Sequence, residues 1–132
     1  MTAIGVFVAT RWESAAVCQA FAASEMRVVG GIRCAVARQG QVEWWVIPMG
    51  VGPERATTTA GRVLGEQSFA AVWSTGFACA LGQAVIGEVL IGTHVTMEGG
   101  AEDGRSVPCA AAGADWVRQA VQQQRLPVQA GQ

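Results

Sequence analysis

The residues with the clearest chemical meaning in this chain lie where apolar strands give way to small side chains. Residues 70–92, AAVWSTGFACALGQAVIGEVLIG, run from an apolar segment directly into Gly76, Ala78 and Ala80, with a second short apolar run after Gly87 and Glu88. Small residues at the carboxyl end of a strand let a ligand approach the backbone, which bulky side chains block. A second candidate is Thr10-Arg11-Trp12-Glu13. Its spacing is that of a helix capping box, in which the Glu13 side chain satisfies the Thr10 amide. The same carboxylate is also a group that can take a proton beside a reacting centre. A third is Gly50-Val51-Gly52-Pro53, where Pro53 suits the first turn of a helix and the opening amides can meet an anion or a hydroxyl.

Composition narrows the ligand. The 132 residues are 51% hydrophobic and 14% charged, enough apolar material for one packed domain over residues 1–132. Nine basic residues are scattered in a chain of formal net charge −1, so no basic stripe points to nucleic acid, and a small neutral or anionic ligand fits better. Cys18, Cys34, Cys79 and Cys109 form no CxxC pair and accompany one histidine, which indicates neither a zinc site nor a disulfide framework. They read as reduced, cytoplasmic thiols. The amino terminus lacks a basic leader, and no apolar run reaches the ~18 residues of a membrane span, so the expectation is a soluble protein without a membrane partner.

The elements that must position these residues follow from periodicity. Residues 4–9 form a short continuous apolar run, which predicts a central buried strand. Ala16, Val17, Ala20 and Phe21 recur at helical spacing over residues 13–23. Strands are predicted at 27–29, 32–38 and 42–48, separated by Gly30-Gly31 and by a turn at Gln39-Gly40. Trp44 and Trp45 then fall on opposite faces of the last of these strands. A helix from Pro53 to about Leu64 buries Ala56, Ala60, Val63 and Leu64. Strands follow at 70–75 and 88–95, then an irregular glycine-rich stretch over 98–113 and a helix over 114–124 carrying Trp116, Val117, Ala120 and Val121 on one side. The tail after Leu126-Pro127 is predicted to fray. The alternation indicates an α/β protein with a mixed β-sheet flanked by helices.

The order of three segments resembles the methylthioadenosine/S-adenosylhomocysteine nucleosidase branch of the nucleoside phosphorylase family. Residues 4–13, IGVFVATRWE, are similar to that family's opening strand, loop and helix. Val29-Gly30-Gly31, the turn at Gly40 and Met49-Gly50-Val51-Gly52-Pro53 resemble its hairpin and glycine-rich strand-to-helix turn. Residues 74–81, STGFACAL, with Gly87-Glu88-Val89-Leu90-Ile91, resemble its threonine-glycine-x-alanine-glycine segment and the strand that follows. The resemblance covers nearly the whole chain and implies a nucleoside phosphorylase-like sheet, truncated at its carboxyl end after the last helix.

What the resemblance implies for function is cleavage of an N-glycosidic bond in a purine nucleoside, by water or phosphate, without metal or organic cofactor. Glu13 matches the glutamate that activates the attacking water. Ala9, Val51, Phe77, Ala78 and Cys79 match positions lining the nucleoside pocket. Core packing is the competing reading of Val51 and Phe77, and Cys79 departs from the usual glycine, putting bulk where substrate or nucleophile belongs. Met97-Glu98 is similar to the family's ribose-binding pair but falls far too early in the chain, which makes it a coincidence. The purine-binding aspartate has no counterpart. His94, alone in a strand, reads as structural. The implied protein is therefore incomplete or inactive as a single chain. Its rival is a remnant that binds a small ligand or serves as a dimerisation module. A homodimer is expected in either case, to cover an exposed apolar face or sheet edge, with Trp44, Trp45, Trp73 and Trp116, the helix after Pro53 and the loops near Phe77 as contributors.

Overall fold

The apolar run near the amino terminus becomes the strand around which the sheet is built. In the computed structural model, which describes residues 1–79, 82–96 and 106–131, strand β1 (Thr2–Val8) pairs in parallel with both β4 (Val42–Pro48) and β5 (Ala71–Ser74). Val6, Phe7 and Val8 are 1%, 4% and 0% exposed, which explains the absence of polar alternation: both faces of this strand are covered. Strands β2 (Glu25–Val29) and β3 (Ile32–Gln39) add an antiparallel wing, giving the mixed order β2-β3-β4-β1-β5.

Helices α1 (Arg11–Phe21) and α2 (Pro53–Glu66) supply the two covers. Val6, Val8 and Val46 pack with Val17, Cys18, Phe21 and Trp44, whereas Phe7, Trp45 and Ile47 pack with Val63 of α2 and with Phe69. Trp44 and Trp45 do lie on opposite faces. Trp44 stacks on Phe21 with ring centroids 4.6 Å apart, and Trp45 meets Phe69 edge-on at 6.0 Å. Helix α1 ends with Ala22 in the left-handed region, φ 53°, where Ala23 N–H donates to the Cys18 carbonyl at 2.9 Å. At the β2–β3 turn, Gly30 has φ +56°, and a Cβ there would stand 2.7 Å from the Arg62 carbonyl carbon of α2. Only glycine allows that contact.

These residues, Met1–Ala78, make one compact unit; Cys79–Gln132 make a second. In the second, β6 (Val89–Gly92) pairs in parallel with β9 (Val128–Gly131), and β7 (His94–Thr96) pairs antiparallel with β8 (Ser106–Pro108). Helix α3 (Ala111–Gln123) has no buried residue. Among the described residues, no helix is long and apolar enough to cross a membrane.

Several sequence expectations are corrected. The tail pairs as β9 instead of fraying, because residues 128–131 find a ladder partner in β6. The predicted strand 88–95 is two strands interrupted at Thr93, and part of the irregular stretch forms β8. In α2, Leu64 is 48% exposed; Thr59 is buried in its place, its hydroxyl donating to the Met49 carbonyl at 3.4 Å. Trp45, proposed as an interface anchor, is 4% exposed and already spent on the core. Ala80, Met97 and Glu98 lie outside the described residues.

Candidate functional site

Parallel pairing brings three strand ends to one edge of the sheet. Val8 stands opposite Pro48, and Phe7 opposite Ser74, so the segments leaving β1, β4 and β5 emerge side by side. Two backbone bonds extend this beyond the strands: Met49 N–H donates to the Val8 carbonyl at 2.9 Å, and Thr75 N–H to the Phe7 carbonyl at 3.1 Å. Open α/β sheets bind ligands at this kind of edge.

Helix α1 starts here and carries Glu13 into it. Thr10 is the N-cap; its hydroxyl accepts from the Glu13 amide at 3.2 Å, and the Glu13 Oε2 accepts from the Thr10 amide at 2.8 Å, completing the capping box. Oε2 also accepts from the Ala9 amide at 3.0 Å. Oε1 reaches across to the segment leaving β5, where the Phe77 amide donates to it at 2.9 Å from 64 residues away in sequence. Glu13 is 7% exposed. Its carboxyl is held below the ordinary glutamate range, chiefly by the Phe77 amide and then by that of Thr10, against the opposing effect of burial, with Ala9 adding to the lowering. Among the described residues, no basic side chain forms a salt bridge with it.

The six residues singled out from sequence fare differently. Ala9, Glu13 and Phe77 are brought together by hydrogen bonds. Phe77 takes part through its amide, while its side chain is 81% exposed, so core packing does not account for it. Val51 is 67% exposed in the turn that leaves β4, between Gly50 (φ +79°) and Gly52 (φ +99°), and core packing fails there as well. Ala78 is exposed at the end of the first unit, and Cys79 is an exposed free thiol at the start of the second. Neither makes a hydrogen bond with Glu13.

The role of Gly76 differs from the one read in the sequence. Its missing side chain does permit a close approach, but what approaches is Glu13: a Cβ on Gly76 would overlap Oε1 and stand 2.7 Å from Cδ and 3.2 Å from Oε2. No local sequence signal joins positions 13 and 76. The capping box accounts for one carboxylate oxygen and leaves the partner of the other open. Among the described residues, no three histidine, cysteine or acidic side chains converge as a metal-binding group. Cys34 is buried, its thiol pushed up to about 11 by desolvation, and so is chemically quiet.

No protein-family model matches the chain, and no curated protein matches it. Solved structures do. A putative methylthioadenosine nucleosidase from Weissella paramesenteroides matches with TM-score 0.81 at 18% identity over 98% of this chain and 61% of its own. A futalosine hydrolase mutant of Helicobacter pylori matches at 0.79 and 17% identity, over 99% and 63%. The 5'-methylthioadenosine/S-adenosylhomocysteine nucleosidase from Helicobacter pylori, with butyl-thio-DADMe-Immucillin-A, matches at 0.78 and 19% identity, over 99% and 62%. The chain thus spans less than two thirds of the length of these structures. Over that span it has their architecture: a mixed α/β fold with a central sheet flanked by helices.

Proposed function

We propose that the chain carries the nucleophile-activating part of a nucleosidase-like site, acting on the N-glycosidic bond of a purine nucleoside. The observation that supports this most directly is Glu13: a buried, ionised carboxylate without a cationic partner among the described residues, pinned at the edge where three parallel strands end. Each carboxylate oxygen offers about two lone pairs. Oε2 spends both on the Ala9 and Thr10 amides, while Oε1 spends one on Phe77 and keeps one for a water.

A low carboxyl pKa makes Glu13 a weak base, and this suits the reaction. As the C–N bond breaks, its electron pair leaves with the purine and positive charge develops at the anomeric carbon. A fixed anion beside that carbon stabilises the charge. Water bonding to the cationic carbon becomes strongly acidic, so a weak carboxylate is base enough to take its proton late in the step. The same anion repels phosphate, which favours water as nucleophile. Ala9, Val51, Phe77 and Ala78 are the proposed nucleoside-contacting positions. The cysteine pattern fits a reducing, cytoplasmic setting, and a homodimer is proposed.

Ribose- and purine-binding groups of the kind implied by the resemblance are not recognisable in these 132 residues, so the proposal includes little turnover by this chain alone. The test combines base release from methylthioadenosine, adenosine and inosine with amide chemical shifts of Ala9, Gly76 and Phe77 on nucleoside addition. The expected result is release near the uncatalysed rate with shifts confined to these amides. No shift with any nucleoside would favour the rival reading, an interaction module. That reading draws on the exposure of Val85, Ile86, Val95 and Val107 in the second unit, at 67%, 106%, 61% and 64%. Release at an enzymatic rate, abolished by Glu13→Gln, would refute the inactivity and establish the base.

A further inference from the structure

We propose that Gly76 and the Phe77 amide are positioning residues for Glu13, forming a seat just past the end of β5 that fixes the carboxylate in one orientation. The inference rests on the reading of Glu13 as the water-activating group, and concerns how that group is aimed. The capping box and the Ala9 amide fix Oε2, through two amides that are three and four residues away on the same turn of chain. With one oxygen held, the side chain can still pivot about it through coupled changes in its torsions, the last of which is broad for a glutamate. The Phe77 amide holds the second oxygen, 2.9 Å away, and so fixes the plane and the direction of the remaining lone pair.

Gly76 makes this possible by subtraction. All three nearest atoms to a Cβ built there belong to the Glu13 carboxylate. Gly76 is not among the glycines with positive φ, so its backbone is open to any residue. The requirement for glycine therefore comes from a side chain on another element, 63 positions earlier, and from nothing in the backbone of Gly76 itself. A methyl group at this point would push the carboxylate off the Phe77 amide or push the strand end off the helix start.

The distinction can be measured with a double-mutant cycle on the 132-residue chain, Gly76→Ala and Glu13→Ala alone and together, read by urea unfolding. If Gly76 seats the carboxylate, Gly76→Ala lowers the urea midpoint in the wild-type background and leaves it unchanged in the Glu13→Ala background. The second readout is the Glu13 side-chain carboxyl carbon, followed by NMR against pH in Gly76→Ala. Its titration midpoint moves up towards that of an ordinary glutamate as the Phe77 bond is lost. An equal drop in midpoint in both backgrounds, or an unmoved Glu13 titration, overturns the proposal. Should Gly76→Ala fail to fold, recovery of folding in the double variant supports the seat, and failure of the double variant where Glu13→Ala alone folds overturns it. None of these readouts needs turnover, so the seat and the nucleosidase reading fail separately.

Discussion

Glu13→Gln separates the two oxygens of the carboxylate, because glutamine has the same shape but only one acceptor. Three amides point at the pair, two at Oε2 and one at Oε1. The glutamine carbonyl settles over Ala9 and Thr10, where it keeps two bonds, and its NH2 group then faces the Phe77 N–H, donor against donor. One charge-assisted hydrogen bond is lost and one sheltered amide is left unpaired, which costs about 2–3 kcal/mol. Glu13→Ala removes both acceptor oxygens, their three hydrogen bonds and the capping box together; water entering the vacated space offsets part of this, leaving a cost of about 3–5 kcal/mol. Urea unfolding followed by tryptophan fluorescence gives both values, and amide hydrogen exchange gives the pattern. In Glu13→Gln the Phe77 amide loses protection while those of Ala9 and Thr10 retain it. A glutamine variant as stable as the wild type, or one in which the Thr10 amide opens and that of Phe77 does not, would refute the assignment of the two oxygens.

Four other outcomes follow from the same geometry. Glu13, Glu25 and Glu43 all have carboxyl groups lowered in the fold, Glu13 by the Phe77 amide and the other two by hydrogen bonding to Arg27, so each contributes stability above the unfolded value of 4.5 that is lost as pH falls through the folded value. The urea midpoint should therefore be flat down to about pH 5 and drop below it; a midpoint that rises on acidification contradicts the sign. Gly30→Ala combines a left-handed alanine with a clash against the Arg62 backbone and should cost about 2–4 kcal/mol by thermal unfolding. Ala22→Gly relieves the left-handed strain at the α1 C-cap and should raise stability by about 0.5–1 kcal/mol, less whatever the unfolded chain gains in freedom. Light scattering at micromolar concentration should give a dimer mass; a concentration-independent monomer contradicts the proposed self-association.

Much of the sheet was legible because its pattern is local. The strands of the β2–β3–β4 wing carry turns that only glycine fills easily, at Gly30, Gly31 and Gly40, each with positive φ. The unbroken apolar run in β1 pointed correctly to a strand covered on both faces. The second unit was harder to read. Its strands are three or four residues long, β6 pairs with a β9 that begins 36 positions after β6 ends, and α3 buries nothing, so neither periodicity nor burial marked the boundaries. Leu64 misled because helical spacing fixes which residues share a face but not how wide the buried stripe is. At α2 that stripe is narrow, centred on Thr59 and Val63.

The site shows the same division between local and distant information, and it changes what Glu13 means. Cap and catalytic base were competing readings of one glutamate, and in the proposed role they draw on different oxygens. The cap consumes Oε2, and the bond to Phe77 with one free lone pair belongs to Oε1. Loss of catalysis would therefore not release position 13 from selection, since the fold needs a carboxylate there to start α1 and to tie it to β5. Gly76 answers to the same demand from the other side. The two residues form one structural unit. The discriminator is the comparison of Glu13→Gln with wild type in two assays. A stability loss of about 2–3 kcal/mol is what the lost Phe77 bond requires. Loss of nucleoside-induced shifts beyond that explained by unfolding would report the lone pair of Oε1 that the Phe77 bond leaves over.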